Sequence, residues 1–189
     1  NGCTMAAAYD VASICIMPYF VARCAEMLRG SSVLPSTVIG FPHGGQTTNT
    51  KIAESKQAIA DGAVELDMVS NISAVLSERW DYVQAEIAAI VDLTHQAGRK
   101  VKVIFENCYL QDDHKQKLCE ICCSVGADWV KTSTGFGTGG AVIKDLQLMI
   151  KHTNPPTEGK AAGGVRDLDA LLNVKSLGVT RVGASATAA

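Results

Sequence analysis

The feature that most restricts the fold is an alternation of short β-prone runs with longer stretches of helical periodicity, repeated along the whole chain. Apolar and β-branched runs fall at 12–16, 36–41, 64–70, 101–107, 129–133, 158–163 and 180–185. Between them, apolar residues recur at helical spacing over 19–29, 47–60, 80–96, 111–125, 140–152 and 167–177. In 80–96 the stripe is explicit, with Val83, Ile87, Ile90, Val91 and Thr94 on one side. Gly62, Gly98, Gly126 and Gly178 each stand where a helical stretch ends shortly before a strand, the place of a left-handed cap. A repeat of βα units implies parallel strands with right-handed crossovers, in an open doubly wound sheet or a closed barrel.

A (β/α)8 TIM barrel needs eight strands, in roughly 250 residues. The chain offers seven β-prone runs, and the shortage is at the front. Residues 3–10 read as the tail of a helix following an earlier strand, so the expected fold is a (β/α)8 barrel whose first strand precedes Asn1. The competing arrangement is a seven-stranded open α/β sheet. No linker rich in Pro, Gly or Ser divides the chain, so residues 1–189 are expected to form one domain.

Composition removes several functional classes. With 47% hydrophobic and 19% charged residues, the chain can bury a full core and is not disordered. A net charge of −2 supplies no bulk attraction for nucleic acid or an acidic membrane, so any anionic ligand must be met by a local site. The apolar run at 11–22 is broken by Pro18 and too short to span a bilayer, and a cytoplasmic location is expected. Seven cysteines without framework spacing suggest reduced thiols. Cys119 and Cys122 have the form of half a zinc site, but Cys122 shares an apolar face with Leu118, Ile121 and Val125, and core packing is the better reading.

Strand alternation brings together an unusual set of charges. Asp67, Lys102, Glu106, Lys131 and Lys160 all fall on the face opposite the apolar one, near the carboxyl ends of their strands. That end of a parallel barrel is where its active site is built. Lys131 and Lys160 come from consecutive strands, and burial together with their mutual repulsion makes one of them easier to deprotonate. A neutral amine attacks an aldehyde to give an iminium ion, an electron sink for breaking a carbon–carbon bond, and Asp67 is placed to move protons. The alternative is a set of inward salt bridges that only fixes strand register. Gly135, following Lys131 in the polar loop, and the segments Gly163-Gly164-Val165-Arg166 and Gly183-Ala184-Ser185 offer backbone N–H groups and one counter-charge to a phosphate. Cys15 reads as a packed strand cysteine, with an exposed thiol near the substrate as the alternative.

The segments ASICIMP, TVIGFPHGGQTT, AVELDMV, KVIFENCYL, GADWVKTSTGFGTGGA, GKAAGGVRDLD and TRVGASA together resemble the deoxyribose-phosphate aldolases, class I Schiff-base aldolases of the TIM-barrel fold. VKTSTGF with KAAGGVR is the specific pair. The resemblance implies that Lys131 is the Schiff-base lysine, Lys160 the second lysine that tunes it, and Asp67 the acid of the proton relay. It also implies that Gly135, Gly163, Gly164, Arg166, Gly183 and Ser185 contact substrate or phosphate, and that Lys102 lies near the site without being the nucleophile. The expected reaction is reversible cleavage of 2-deoxy-D-ribose 5-phosphate to D-glyceraldehyde 3-phosphate and acetaldehyde, with no metal and no organic cofactor. Two other expectations stay open: another Schiff-base sugar-phosphate aldolase or transaldolase, and a catalytically silent sugar-phosphate-binding relative. The partners expected are a small-molecule sugar phosphate and an aldehyde, with no nucleic acid and no membrane; a homodimer or higher homo-oligomer is compatible with the sequence. Phe136 stands where some family members carry an extra lysine.

Overall fold

Seven parallel strands, β1 (Ser13–Ile16), β2 (Leu34–Ile39), β3 (Glu65–Val69), β4 (Lys100–Ile104), β5 (Trp129–Lys131), β6 (Glu158–Ala162) and β7 (Arg181–Gly183), pair with their sequence neighbours in unbroken order. They belong to a computed structural model that describes residues 2–185; Ala186, at the end of TRVGASA, lies outside them. Eight α-helices accompany the strands among the described residues: α1 (Gly2–Ala8), α2 (Val21–Met27), α3 (Thr48–Ala60), α4 (Ile72–Leu76), α5 (Trp80–Gln96), α6 (Asp112–Val125), α7 (Ile143–His152) and α8 (Leu168–Ser176). None is long and apolar enough to cross a membrane.

Side-chain contacts establish the curl of the sheet. Neighbouring strands lie about 4.8 Å apart, so in a flat sheet β3 and β6 would be separated by about 14 Å. Lys160 of β6 nevertheless reaches Asp67 of β3 at 2.8 Å, and Arg181 of β7 reaches Ser13 of β1 at 3.1 Å. The sheet is therefore a half-barrel with an inner and an outer face. Leu66 and Met68 of β3 and Val101 and Val103 of β4 point outward into one core with Val83, Ile87, Ile90 and Val91 of α5. Their alternate neighbours, Glu65, Asp67 and Lys102, are left to the inner face and are just as buried.

Local chemistry sets the helix ends. Thr47 caps α3 by accepting a hydrogen bond from the Thr50 N–H, and α6 ends on Gly126 at φ 76°, a left-handed turn that a side chain would disfavour. The helical stretch expected from residue 19 opens instead as a 3-10 turn over Pro18–Phe20, with proline in the first turn where its missing N–H costs nothing. Helix α4 was not expected; Asn71 starts it by accepting from the Ala74 N–H at 3.1 Å. Cys119 and Cys122 are fully buried in the main core, as their apolar register predicts.

A buried ion pair ties this helical layer to the end of β3. Lys51 of α3 meets Glu86 of α5 at 2.9 Å with both side chains fully enclosed. Lys51 also donates to the Val69 carbonyl at 2.8 Å, and Glu86 accepts from the Asn71 N–H at 3.0 Å. The strand that carries Asp67 is thereby held at its carboxyl end.

Candidate active site

The inner face gathers its charges around one carboxylate. Asp67 of β3 is paired in register with Lys102 of β4, and Lys131 of β5 with Lys160 of β6. Lys131 and Lys160 both donate to the same oxygen, Asp67 Oδ2, at 2.7 and 2.8 Å. Lys102 takes Oδ1 at 2.8 Å, and Ser36 donates weakly to that atom at 3.4 Å. One layer toward the amino ends of the strands, Glu65 Oε2 accepts from Lys102 at 2.6 Å, and Glu65 Oε1 pairs with Arg181 at 3.0 Å. Arg181, Lys100 and Lys102 all lie over the Trp129 ring. Four cationic side chains thus share two carboxylates in a space nearly closed to water.

This excess of positive charge decides the protonation of the site. Burial alone would raise the Asp67 pKa, but Lys131, Lys102 and Lys160 hold it well below the usual carboxylate range. For Lys160, burial is the largest influence; repulsion from Lys131 and Lys102 adds to it, Asp67 opposes it, and the pKa falls to about 8. Burial acts the same way on Lys131, but Asp67 and Cys15 outweigh it and its pKa is raised. Of the two lysines, the one that loses its proton more easily is Lys160, and not Lys131. Two amines on one oxygen can exchange a proton directly, so the pair, more than either member, is what titrates.

The remaining sequence candidates fall in three groups. Gly163 and Gly164 follow β6, where Gly163 packs toward Gly140 and Ser133, and Gly183, at the end of β7, would place a Cβ 3.5 Å from Lys160 Cε, so it is Gly183 that borders the lysine pair. Gly135, Arg166 and Ser185 lie exposed at the same carboxyl end of the sheet. Gly140 in the loop after β5 packs directly against Gly163, where the Ala141 N–H donates to the Gly163 carbonyl at 2.8 Å. Glu106 is a correction: it does not join the inner cluster. The alternation stops at Ile104, Glu106 takes a left-handed φ of 59°, and its carboxylate accepts from the N–H and hydroxyl of Thr134. It fastens the loop that follows Lys131. Phe136 of that loop meets Phe41 edge to face across the mouth, with ring centroids 5.2 Å apart.

Two site residues are not apparent from the sequence. Glu65 and Arg181 were not singled out, although Glu65 shares a strand face with Asp67. Cys15 is exposed as a residue, the alternative to packing, while its thiol lies close enough to feel Asp67, Lys131, Lys160 and Lys102; crowding of the sulfur by surrounding atoms and the Asp67 charge raise its pKa. Among the described residues, no group of three or more His, Cys, Asp or Glu side chains is placed to hold a metal ion.

Known proteins share this fold. Residues 2–185 match the model of the DeoC/LacD family aldolase. The deoxyribose-phosphate aldolase of Rhodopirellula baltica is 61% identical over 188 residues, covering 100% of this chain and 78% of the relative. Among solved structures, the aldolase QR15 superposes with a TM-score of 0.92 at 34% identity, covering 98% of this chain and 82% of that one. The tetrameric deoxyribose phosphate aldolase of Aeropyrum pernix gives 0.88 at 28% identity, covering 98% and 78%.

Proposed function

The chain belongs to the DeoC/LacD family of aldolases, and from that membership we propose that it cleaves 2-deoxy-D-ribose 5-phosphate reversibly through a Schiff base on Lys131. The products are D-glyceraldehyde 3-phosphate and acetaldehyde. The observation that carries this reading is the convergence of Lys131 and Lys160 on a single oxygen of Asp67. An amine pair under one carboxylate keeps a proton mobile beside a nucleophile, which imine chemistry at neutral pH requires.

The steps follow from the geometry. The pair sheds a proton near pH 8, and transfer across Asp67 Oδ2 leaves Lys131 neutral and Lys160 charged. Lys131 adds to the C1 aldehyde of the open-chain sugar, and the carbinolamine loses water to give an iminium ion, the departing hydroxyl taking the proton of Lys160 and leaving that side chain a neutral amine. An amine at Lys160 then takes the C3 hydroxyl proton as the C2–C3 electrons move into the iminium, and glyceraldehyde phosphate leaves with an enamine behind it. Protonation at C2 and hydrolysis by water release acetaldehyde. We assign the proton transfer to Lys160 in preference to Asp67, because a carboxylate held far below its usual range is a poor base, whereas a group near 8 matches the task. Asp67 orients the lysines. Gly163, Gly164 and Gly183 would offer backbone N–H groups to the 5-phosphate, with Gly135, Arg166 and Ser185 completing its surroundings.

The family description covers more than one aldolase, and a second reading is another sugar-phosphate aldolase with the same chemistry. We expect a cytoplasmic homo-oligomer, a reading supported by the tetramer of the Aeropyrum pernix relative and by the exposed aromatic side chains of Tyr19 and Phe20. The experiment that tests the function is borohydride trapping with deoxyribose 5-phosphate, read by mass on tryptic peptides. A reduced adduct on Lys131, absent in Lys131→Leu, is the expected result. Adducts only with other sugar phosphates would move the assignment to the second reading, and binding without any adduct would leave a silent relative.

A further inference from the structure

Beyond the carboxylate and the two lysines lies a relay of charge that the mechanism has not used. It runs from Arg181 to Glu65, from Glu65 to Lys102, and from Lys102 to Asp67, with separations of 3.0, 2.6 and 2.8 Å. Glu65 and Lys102 are almost fully buried, and Arg181 closes the end of the chain by also donating to Ser13 of β1. Lys102 therefore divides its single positive charge between two carboxylates. How much of Asp67 is free to hold Lys131 and Lys160 depends on how strongly Glu65 draws Lys102 away, and that depends in turn on Arg181.

We propose that Glu65 and Arg181 are positioning residues with opposed effects: Glu65 makes the Lys131–Lys160 pair retain its protons, and Arg181 makes it release them. The inference rests on the Schiff-base reading above, since the proton count matters only if one amine must be neutral. Neither residue touches the pair; each acts through Lys102 and through its own field. The titratable and charged groups around the pair are Cys15 of β1, Glu65 and Asp67 of β3, Lys102 of β4 and Arg181 of β7. Lys100, Trp129 and Glu158 form the layer beneath, where Glu158 is engaged by the Thr180 hydroxyl. Strand β2 presents only the neutral Ser36 to Asp67. Of these, Glu65 and Arg181 are the charged pair that can be altered without removing a group bonded to either catalytic lysine.

The test measures the pH midpoint for capture of acetaldehyde on Lys131, trapped with borohydride and read by mass. Glu65→Gln deletes a negative charge, so the pair should release its proton more readily and the midpoint should fall by roughly one pH unit, the effect of one unit charge at an effective dielectric of about 20. Arg181→Gln should raise it by a similar amount. The double variant, with the net charge restored, should return close to the unaltered protein, and Glu65→Asp should do the same. Shifts of the same sign in both single variants, or no shift in either, would overturn the inference, since a purely structural role lowers stability without sorting midpoints by charge. Should Glu65→Gln fail to fold, the upward shift in Arg181→Gln alone decides, because Arg181 is partly exposed. Failure of the underlying reading looks different: no adduct would form on Lys131 in the unaltered protein at any pH.

Discussion

Replacing Lys160 with methionine separates the two amines most directly. The change removes an ammonium of similar length and leaves Asp67 bonded to Lys102 and Lys131. Lys131 then keeps its raised pKa, having lost the neighbour with which it shared a carboxylate oxygen and a proton. An amine that titrates at about 8 is roughly one-tenth neutral at pH 7, whereas one at an ordinary lysine value near 10.4 is neutral in roughly four parts in ten thousand. Capture of acetaldehyde on Lys131 should therefore slow by a few hundred-fold at about pH 7. In the unaltered protein the rate should level off above about pH 8, while in the variant it should keep climbing about tenfold per unit toward pH 10. Stability should move the other way. The native state binds this proton less tightly than the unfolded chain, so the unaltered protein gains stability as the pH rises from about 8 to the ordinary lysine range. Below that window the buried ammonium costs up to about 3 kcal/mol, and the methionine variant should be relieved of that cost. Trapping rates and melting temperatures, each across the same pH series, check both halves. A variant that loses the same factor at every pH, or less than about tenfold at neutrality, would refute the shared-proton account.

Two further substitutions probe what holds the site in place. Lys51→Met should destabilise the protein by about 3–5 kcal/mol in urea titration because Glu86 is left buried without its partner, and adding Glu86→Leu should recover most of that loss. Gly140→Ala would set a Cβ 2.6 Å from the Gly163 carbonyl oxygen, forcing the loops after β5 and β6 apart. The expected result is a KM for the phosphorylated sugar raised by about tenfold with kcat nearly unchanged, consistent with an overpacking cost of ~1–3 kcal/mol spent on phosphate contacts.

The lysine pair and Asp67 were legible because a two-residue period is a strong rule within a strand, and each sits inside one. Glu106 shows where the rule ends. It lies past the last residue of β4, in a backbone conformation with no strand equivalent, and so it turned to Thr134 instead of Asp67. Glu65 and Arg181 could not be paired from sequence for a different reason. They meet across the hollow of the sheet, and which residues oppose one another there depends on the stagger of every strand between them. Cys15 stayed open between packing and exposure because its own strand is adequately apolar, and its exposure goes with the position of β1 at the border of the sheet among the described residues. The seven strands themselves, with the order of helices between them, were fixed by periodicity and by glycines at the caps. Only the short α4, one turn of ISAVL, fell below the length at which helical spacing is distinct.

Because every strand pairs with the one made just before it, a nascent chain can add each βα unit to a folded edge as it leaves the ribosome. The hollow of the sheet then changes polarity during growth. With β4 in place, Glu65 and Asp67 outnumber Lys102; Lys131 neutralises the surplus, Lys160 reverses it, and Arg181 arrives last. A polypeptide extended only through β4 would thus present an acidic trough without Lys131, and reactivity toward aldehydes would arise only once β5 and β6 have been added.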